Sequence, residues 1–335
     1  MNVLIVKTSS LGDVLHTLPA VSDAMRWDPT LAFHWLVEEH FAEIPQWHPA
    51  VQRVIVLPWR RLRKKLLRNT FRGEWRKVLR ELRRDPYDAI IDAQGLWKSA
   101  IPARLARGEV WGMDAQSARE ATASWCYHHR VTIAKEQHAV TRIRALFARV
   151  LHYPLPSEPA DYGLANRFPA PAQRNHLVFI HGTTWPSKHW PVPFWSELIR
   201  NVSQHSAIVL PWGSPAEKER ADMLARIAPG SVRVPGKTRL EQLAEVIAGA
   251  RAVVSVDTGP AHLAAALNVP ALCLYGPTDP ARVGTLCQRH QHIRGACVQS
   301  PCKQRICPLV APPLAAPCME SITPEHIITW LQSLP

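Results

Sequence analysis

Short apolar runs constrain this chain most: each ends in a polar loop, and stretches of helical periodicity separate them. In the first half they lie at 3–6, 33–37, 54–57 and 89–91, and in the second at 177–180, 207–210, 252–256 and 271–275. Continuous apolar runs of this length bury both faces of a strand, the situation of a parallel sheet covered by helices. Between the two sets, residues 153–174 are rich in proline and alanine, with Pro154, Pro156, Pro159, Pro169 and Pro171. The pattern predicts an α/β protein with two doubly wound, Rossmann-like domains. The N-terminal domain is expected at 1–160, a linker at 161–174 and the C-terminal domain at 175–335. A chain of 335 residues is long enough for two such cores. The domains are expected to face each other across a cleft at the carboxyl ends of their strands, where open α/β sheets bind ligands.

The loops at those strand ends carry the chemistry. Asp257-Thr258-Gly259-Pro260-Ala261-His262 joins a strand to a helix. Free N–H groups and the helix dipole there favour a phosphate, and His262 is expected to point toward it. The plainer reading is that Asp257 or Thr258 caps the helix. Thr183, Thr184 and Lys188 offer two hydroxyls and an ammonium, a set suited to phosphate oxygens. They also fit a polar turn before a helix starting near Pro193, and the spacing is not that of a P-loop. Asp13 follows Gly12 at the start of a helix. It reads as a cap, as a general base aimed at an acceptor hydroxyl, or as both.

Charge narrows the partner. Forty Lys and Arg against 27 Asp and Glu leave +13 at pH 7, which points to a polyanion. Residues 59–84 carry 12 Lys or Arg against Glu74 and Glu81, a net +10. Trp59, Leu62, Leu66, Trp75 and Leu79 interleave with these charges. An anionic membrane or amphiphile suits that pattern, nucleic acid competes through base stacking, and a solvated helical face is the bland reading. The run at 3–6 is too short for a signal-peptide core, and no apolar run reaches 18 residues, so a cytoplasmic protein is expected. Neither HExxH nor a metal-holding Asp-x-Asp element is present. A reaction without metal or cofactor is therefore expected. The tail reads Cys297-x4-Cys302-x4-Cys307-x10-Cys318, with Cys287 upstream. This is not the paired CxxC spacing of a common zinc site, so a metal, a redox-labile disulfide and plain thiols all stay open.

Taken together, the segments resemble the ADP-heptose:lipopolysaccharide heptosyltransferases. The similarity runs in one order from Val3-Leu4-Ile5-Val6-Lys7-Thr8-Ser9-Ser10-Leu11-Gly12-Asp13 through Asp92-Ala93-Gln94-Gly95-Leu96 and His181-Gly182-Thr183-Thr184 with Lys188. It continues through Leu210-Pro211-Trp212-Gly213 and Asp257-Thr258-Gly259 with His262 to Tyr275-Gly276-Pro277-Thr278. The first motif and residues 59–64 favour the type I branch.

The resemblance implies a GT-B fold. It implies inverting transfer of L-glycero-D-manno-heptose from ADP-heptose to the first Kdo of Kdo-lipid A, at the inner face of a Gram-negative inner membrane. Asp13 matches the family's base. Thr183, Thr184, Lys188, Asp257, Thr258, Gly259 and His262 match the donor site, with Lys188 also stabilising the leaving ADP. Either Glu217 or Glu219 matches the family's ribose contact. Ser10, Gly12, Arg60, Arg61, Arg63, Lys64, Gln94, Lys98 and Arg119 match the acceptor side. The implied partners are ADP-heptose, Kdo-lipid A and an anionic membrane surface, without nucleic acid. Closure of the cleft is expected on binding. A type II enzyme, which takes an acceptor already bearing a heptose, is the alternative within the family. A non-catalytic binder of anionic lipid or nucleic acid is the alternative outside it. Beyond about residue 285 the similarity to type I fades, which leaves the cysteine-rich tail unassigned.

Overall fold

The structure is a computed structural model and describes residues 1–59, 61, 70–311 and 314–334, the side chains of 70–72 excepted. The chain divides into two units, Met1–Arg167 and Phe168–Pro335. Unit 1 holds β1 (Asn2–Val6), β2 (Ala32–Glu38), β3 (Val51–Leu57), β4 (Pro86–Asp92), β5 (Arg107–Met113) and β6 (His129–Val131). Unit 2 holds β7 (His176–Ile180), β8 (Ala207–Val209), β9 (Val232–Arg233), β10 (Ala250–Val256), β11 (Ala271–Tyr275) and β12 (His290–Arg294). The sheet orders are β3-β2-β1-β4-β5-β6 and β12-β11-β10-β7-β8-β9. Every pairing is parallel.

Counted from its own first strand, each sheet has the same order, the doubly wound one. Chain direction across the sheet therefore reverses between β1 and β4 in unit 1 and between β7 and β10 in unit 2. At such a point two neighbouring loops diverge to opposite faces and leave a crevice at the strand ends. All eight apolar runs fall on strands; those of the central strands are sealed, with Val3 to Val6 and Val253, Val254 and Val256 exposing no surface, whereas Val56 on the edge strand β3 is 39% exposed.

Four strands went unseen in the sequence for a physical reason. β5 reads Arg-Gly-Glu-Val-Trp-Gly-Met with its first three residues exposed, and β12 reads His-Gln-His-Ile-Arg. β12 is an edge strand, and the exposed first residues of β5 lie outside the stretch that β6 pairs, so neither demands an apolar run along its length. The strands β6 and β9 are three and two residues long.

The helix Thr70–Leu82 settles part of the basic segment. Val78 and Leu82 are buried in the unit 1 core, and Trp75 and Trp59 pack against it. Arg76, Lys77 and Arg80 stay exposed, as do Arg83 and Arg84 just beyond. In the helix Thr70–Leu82 the described apolar residues are thus used by the fold, and the exposed face is largely cationic. Among the described residues no helix is long and apolar enough to cross a membrane.

In unit 2 the core centres on Trp195, fully buried, with its ring edge-on to Trp190 at 4.9 Å and tilted against Phe179 at 5.7 Å. Trp195→Ala is expected to cost about 3–5 kcal/mol, read as a lower denaturant midpoint for unit 2. An unchanged midpoint would show that this aromatic cluster does not hold the sheet.

Candidate active site

In unit 1 the strand-order reversal brings the loop after β1 against the loop after β4. The Asp92 carboxylate ends β4 fully buried and accepts four hydrogen bonds. They come from the N–H groups of Gln94 (2.9 Å) and Gly95 (3.2 Å) and the hydroxyls of Ser99 (2.9 Å) and Tyr127 (2.8 Å). Burial pushes its pKa up, and these donors pull against that. The loop so fixed includes Gly95 at φ +68°, a left-handed backbone that favours glycine. Gln94 Oε1 then accepts the Thr8 and Ser9 N–H groups at 3.0 and 3.2 Å. The Lys7 ammonium, buried, donates to the Ala93 carbonyl at 2.8 Å. Lys98 donates to Ser9 Oγ and, at 3.2 Å, to Glu38.

This framework holds the short helix Leu11–Leu15, in which Ser10 is the N-cap and Asp13 sits three residues in. Asp13 Oδ2 accepts the Ser10 N–H at 3.0 Å and the Ser10 hydroxyl at 3.1 Å, so the carboxylate does help to cap the helix. It also stands 3.5 Å from Arg119, and Oδ1 stands 3.9 Å from Lys7. Its side chain is 28% exposed. Burial alone would raise the Asp13 pKa, but Lys7, then Arg119 and the Ser10 N–H, outweigh it and hold the carboxyl far below the ordinary range. Lys7 itself is pushed down, by burial first. The same cations that make Asp13 a secure anion make it a reluctant proton acceptor.

Ser10, Gly12, Asp13, Gln94, Lys98 and Arg119 thus belong to one corner of unit 1. Arg61 is exposed and pairs instead with Glu39 at 3.2 Å. Arg60, Arg63 and Lys64 lie outside the described residues. Lys7, Asp92 and Tyr127 went unread as functional residues. The signal for Asp92 was present: an acidic residue closing an apolar run shortly before a glycine, as at Asp257.

Unit 2 repeats the plan. Asp257, just past β10, lies 2.6 Å from the Lys188 ammonium, and both side chains are largely buried. Thr278 donates its hydroxyl to Asp257 Oδ2, and the Thr183 hydroxyl donates to the Asp257 carbonyl at 3.3 Å. Asp257 is therefore a partner for Lys188 and Thr278 rather than a helix cap. Thr258 occupies the N-cap position of the helix Gly259–Ala266 without a side-chain cap bond, and Pro260 lies in the first turn. The Lys188 ammonium also lies 4.4 Å from the centre of the Trp185 ring, a favourable cation–π distance. Thr184 stands in the same loop and accepts from Arg305 through its carbonyl. His262 is buried on the helix, close enough to His290 to weigh on its charge.

Glu217 and Glu219 differ in their surroundings. Glu217 is three residues into the helix Pro215–Ala225, and its carboxylate accepts the N–H groups of Gly213 (2.6 Å) and Ser214 (3.2 Å). It abuts Gly182, where a Cβ would come within 2.5 Å of the Glu217 carboxyl carbon. Glu219 faces solvent. Lys218 turns away to Asp222 at 2.6 Å. Behind the loop, Arg220 donates to His189 Nδ1 and to the His181 carbonyl. Burial, then Arg220, pulls the pKa of both histidines down to about 4, so at neutral pH neither ring is charged. Among the described residues no three His, Cys, Asp or Glu are placed to hold a metal ion.

Unit 2 thus offers an ammonium, two threonines and a helix N-terminus for an anion, beside a carboxylate for hydroxyls. Unit 1 offers a clamped carboxylate among cations. The sequence model of glycosyltransferase family 9 (heptosyltransferase) matches residues 75–311. Lipopolysaccharide heptosyltransferase 1 of Pseudomonas aeruginosa is 49% identical over 311 residues, 92% of this chain and 87% of that protein. Its counterpart in Escherichia coli K12 is 51% identical over 291 residues, 85% and 90% of the two chains. The solved E. coli heptosyltransferase WaaC with ADP superposes at a TM-score of 0.90, with 43% identity and all of both chains covered. A non-catalytic lipid or nucleic-acid binder is set aside by these likenesses, and the fold is GT-B. The chain belongs to glycosyltransferase family 9, the heptosyltransferases, and is a glycosyltransferase of lipopolysaccharide heptose transfer.

Proposed function

We propose that the chain transfers L-glycero-D-manno-heptose from ADP-heptose, with inversion, to the first Kdo of Kdo-lipid A at the cytoplasmic face of the inner membrane. The observation that carries the reading is the division of tasks between the two strand-order reversals. One holds a carboxylate kept ionised, and the other an anion-ready ammonium and helix N-terminus. The similar E. coli enzyme was solved with ADP and with ADP-2-deoxy-2-fluoro heptose, which supports ADP-heptose as donor here.

In this reading Asp13 takes the proton of the Kdo hydroxyl while that oxygen attacks the anomeric carbon opposite ADP. The anomeric C–O bond to ADP breaks, and negative charge grows on the diphosphate. Lys188, Thr183, Thr184 and the N–H groups at Thr258 and Gly259 receive that charge. Glu217 takes the ribose hydroxyls, and His262 completes the donor set. Ser10, Gly12, Gln94, Lys98 and Arg119 hold the Kdo end. Arg60, Arg61, Arg63 and Lys64 take its phosphates and carboxylates, which Arg forks match. The exposed cations of the helix Thr70–Leu82 suit an anionic membrane surface. The reading calls for no metal ion, no cofactor and no nucleic acid.

The weak basicity of Asp13 has a remedy in the acceptor itself. A Kdo carboxylate that pairs with Arg119 draws one cation off Asp13 and raises its pKa, which couples proton abstraction to acceptor binding.

Asp13→Asn is expected to lower kcat about 10²–10⁴-fold with ADP affinity unchanged by calorimetry; an equal loss of ADP affinity would contradict the division of tasks. Lys188→Ala is expected to weaken ADP binding and to lower kcat about 10²–10³-fold. Full activity in that variant would remove Lys188 from the leaving-group role. The low Asp13 pKa keeps the base ionised as pH falls through the ordinary carboxylate range. Removing a cation raises that pKa, so Lys7→Met should move the acid limb of kcat/KM up by about one pH unit. A limb that stays in place would show that Lys7 does not tune the base.

A further inference from the structure

The proposed transfer gives the cysteines of the tail no part, yet the fold gathers four of them. Cys297, Cys302, Cys307 and Cys318 all line one small cavity in unit 2, otherwise walled by prolines and uncharged side chains. None of the four is in a disulfide.

The surrounding backbone is shaped to let this happen. Cys318 is buried on the short helix Pro317–Glu320. A Cβ on Gly276 would sit 2.7 Å from its sulfur, and one on Gly295 would sit 1.5 Å from its carbonyl oxygen. Both positions thus need glycine for Cys318 to reach the cavity. The loop that carries the other three is pinned on two sides. Ser300 donates its hydroxyl to the Gly276 carbonyl at 2.6 Å, and the Lys303 N–H donates to Pro277 at 2.7 Å. The Ser187 hydroxyl donates to the Gln304 carbonyl at 2.7 Å, and its N–H to Arg305 at 3.3 Å.

We infer that Cys297, Cys302, Cys307 and Cys318 form a tetrathiolate site for one thiophilic transition-metal ion, zinc or iron. Four cysteines lining one cavity, three from one loop and Cys318 from the short helix after it, match the donor set and number of such a site. Four thiolates around a divalent ion leave two negative charges, and Lys303 and Arg305 lie on the same loop to offset them. As the side chains stand, no three are at ligating distance of one point, so the ion draws the sulfurs inward over the cavity. Through Ser187, and through Arg305 on the Thr184 carbonyl at 3.4 Å, the filled site braces the loop of Thr184 and Lys188. That consequence rests on the donor reading above; the metal site does not.

The test is the metal content of the full-length protein, purified reduced and without chelator, then loaded with zinc alone and desalted. About one ion per chain is expected, with four of the seven thiols shielded from a thiol reagent until a chelator is added. Cys302→Ser with Cys307→Ser should lose the ion, whereas Cys126→Ser, outside the cluster, should keep it. If the double variant does not fold, single variants decide. Cys302→His keeps a metal ligand and should resist a competing chelator better than Cys302→Ser; equal resistance overturns the proposal. Wild-type protein that stays metal-free after loading overturns it, as does an intact mass showing a disulfide among the four. Because metal content is read directly, a wrong donor leaves this result untouched.

Discussion

A buried carboxylate at the end of the fourth strand of each unit is the constraint on which the rest depends. Asp92 in unit 1 and Asp257 in unit 2 close strands whose neighbours leave in opposite directions. A crevice opened there strips loop N–H groups and side chains of sheet partners, and buried polar groups must find others. The two carboxylates solve this differently. Asp92 collects four neutral donors and braces the loop that Gln94 ties to Thr8 and Ser9. Asp257 collects one hydroxyl and one ammonium. The first arrangement makes a rigid floor; the second stores a cation.

That storage gives the largely buried Lys188 side chain a carboxylate partner at 2.6 Å. Removing an ammonium from water is costly, and a single well-placed counter-ion offsets much of it. The pair is also unsaturated: the ammonium has further N–H donors and lies against the Trp185 ring. A diphosphate joins this arrangement without either ion having to be created or buried anew. In unit 1 the balance is reversed, with two cations against Asp13. There the stored quantity is negative charge, and in the proposed reaction the incoming acceptor supplies an anion that competes for Arg119.

Much of this was legible in the sequence because burial leaves a compositional trace. Strands sealed on both faces demand unbroken apolar runs, and the eight runs mapped to strands, although β3 is an edge strand with Val56 exposed; several of the loops that follow the runs carry the candidate groups. Edge strands such as β12 make no such demand. Lys7 was hidden because nothing in its local spacing shows that it is buried against Ala93. Glu217 and Glu219 are told apart by contacts made in the fold: Glu217 accepts the Gly213 and Ser214 N–H groups and abuts Gly182, whereas Glu219 is exposed. Of the described part of the basic segment, Trp59, Trp75, Val78 and Leu82 proved to belong to the core or to pack on it. That Cys297 through Cys318 meet at one cavity depends on the path from β11 to the last helices, and the x4, x4 and x10 spacings do not encode it.

The most direct measurement of the central claim is ADP release from ADP-heptose by the wild-type protein, with the anomeric configuration of the product assigned by NMR. Three conditions suffice: no acceptor, Kdo-lipid A, and Kdo-lipid A that already bears a heptose. The account predicts release only with Kdo-lipid A and a linkage inverted relative to the donor. Release that prefers the heptosylated acceptor, or a product with the donor's configuration retained, would contradict it.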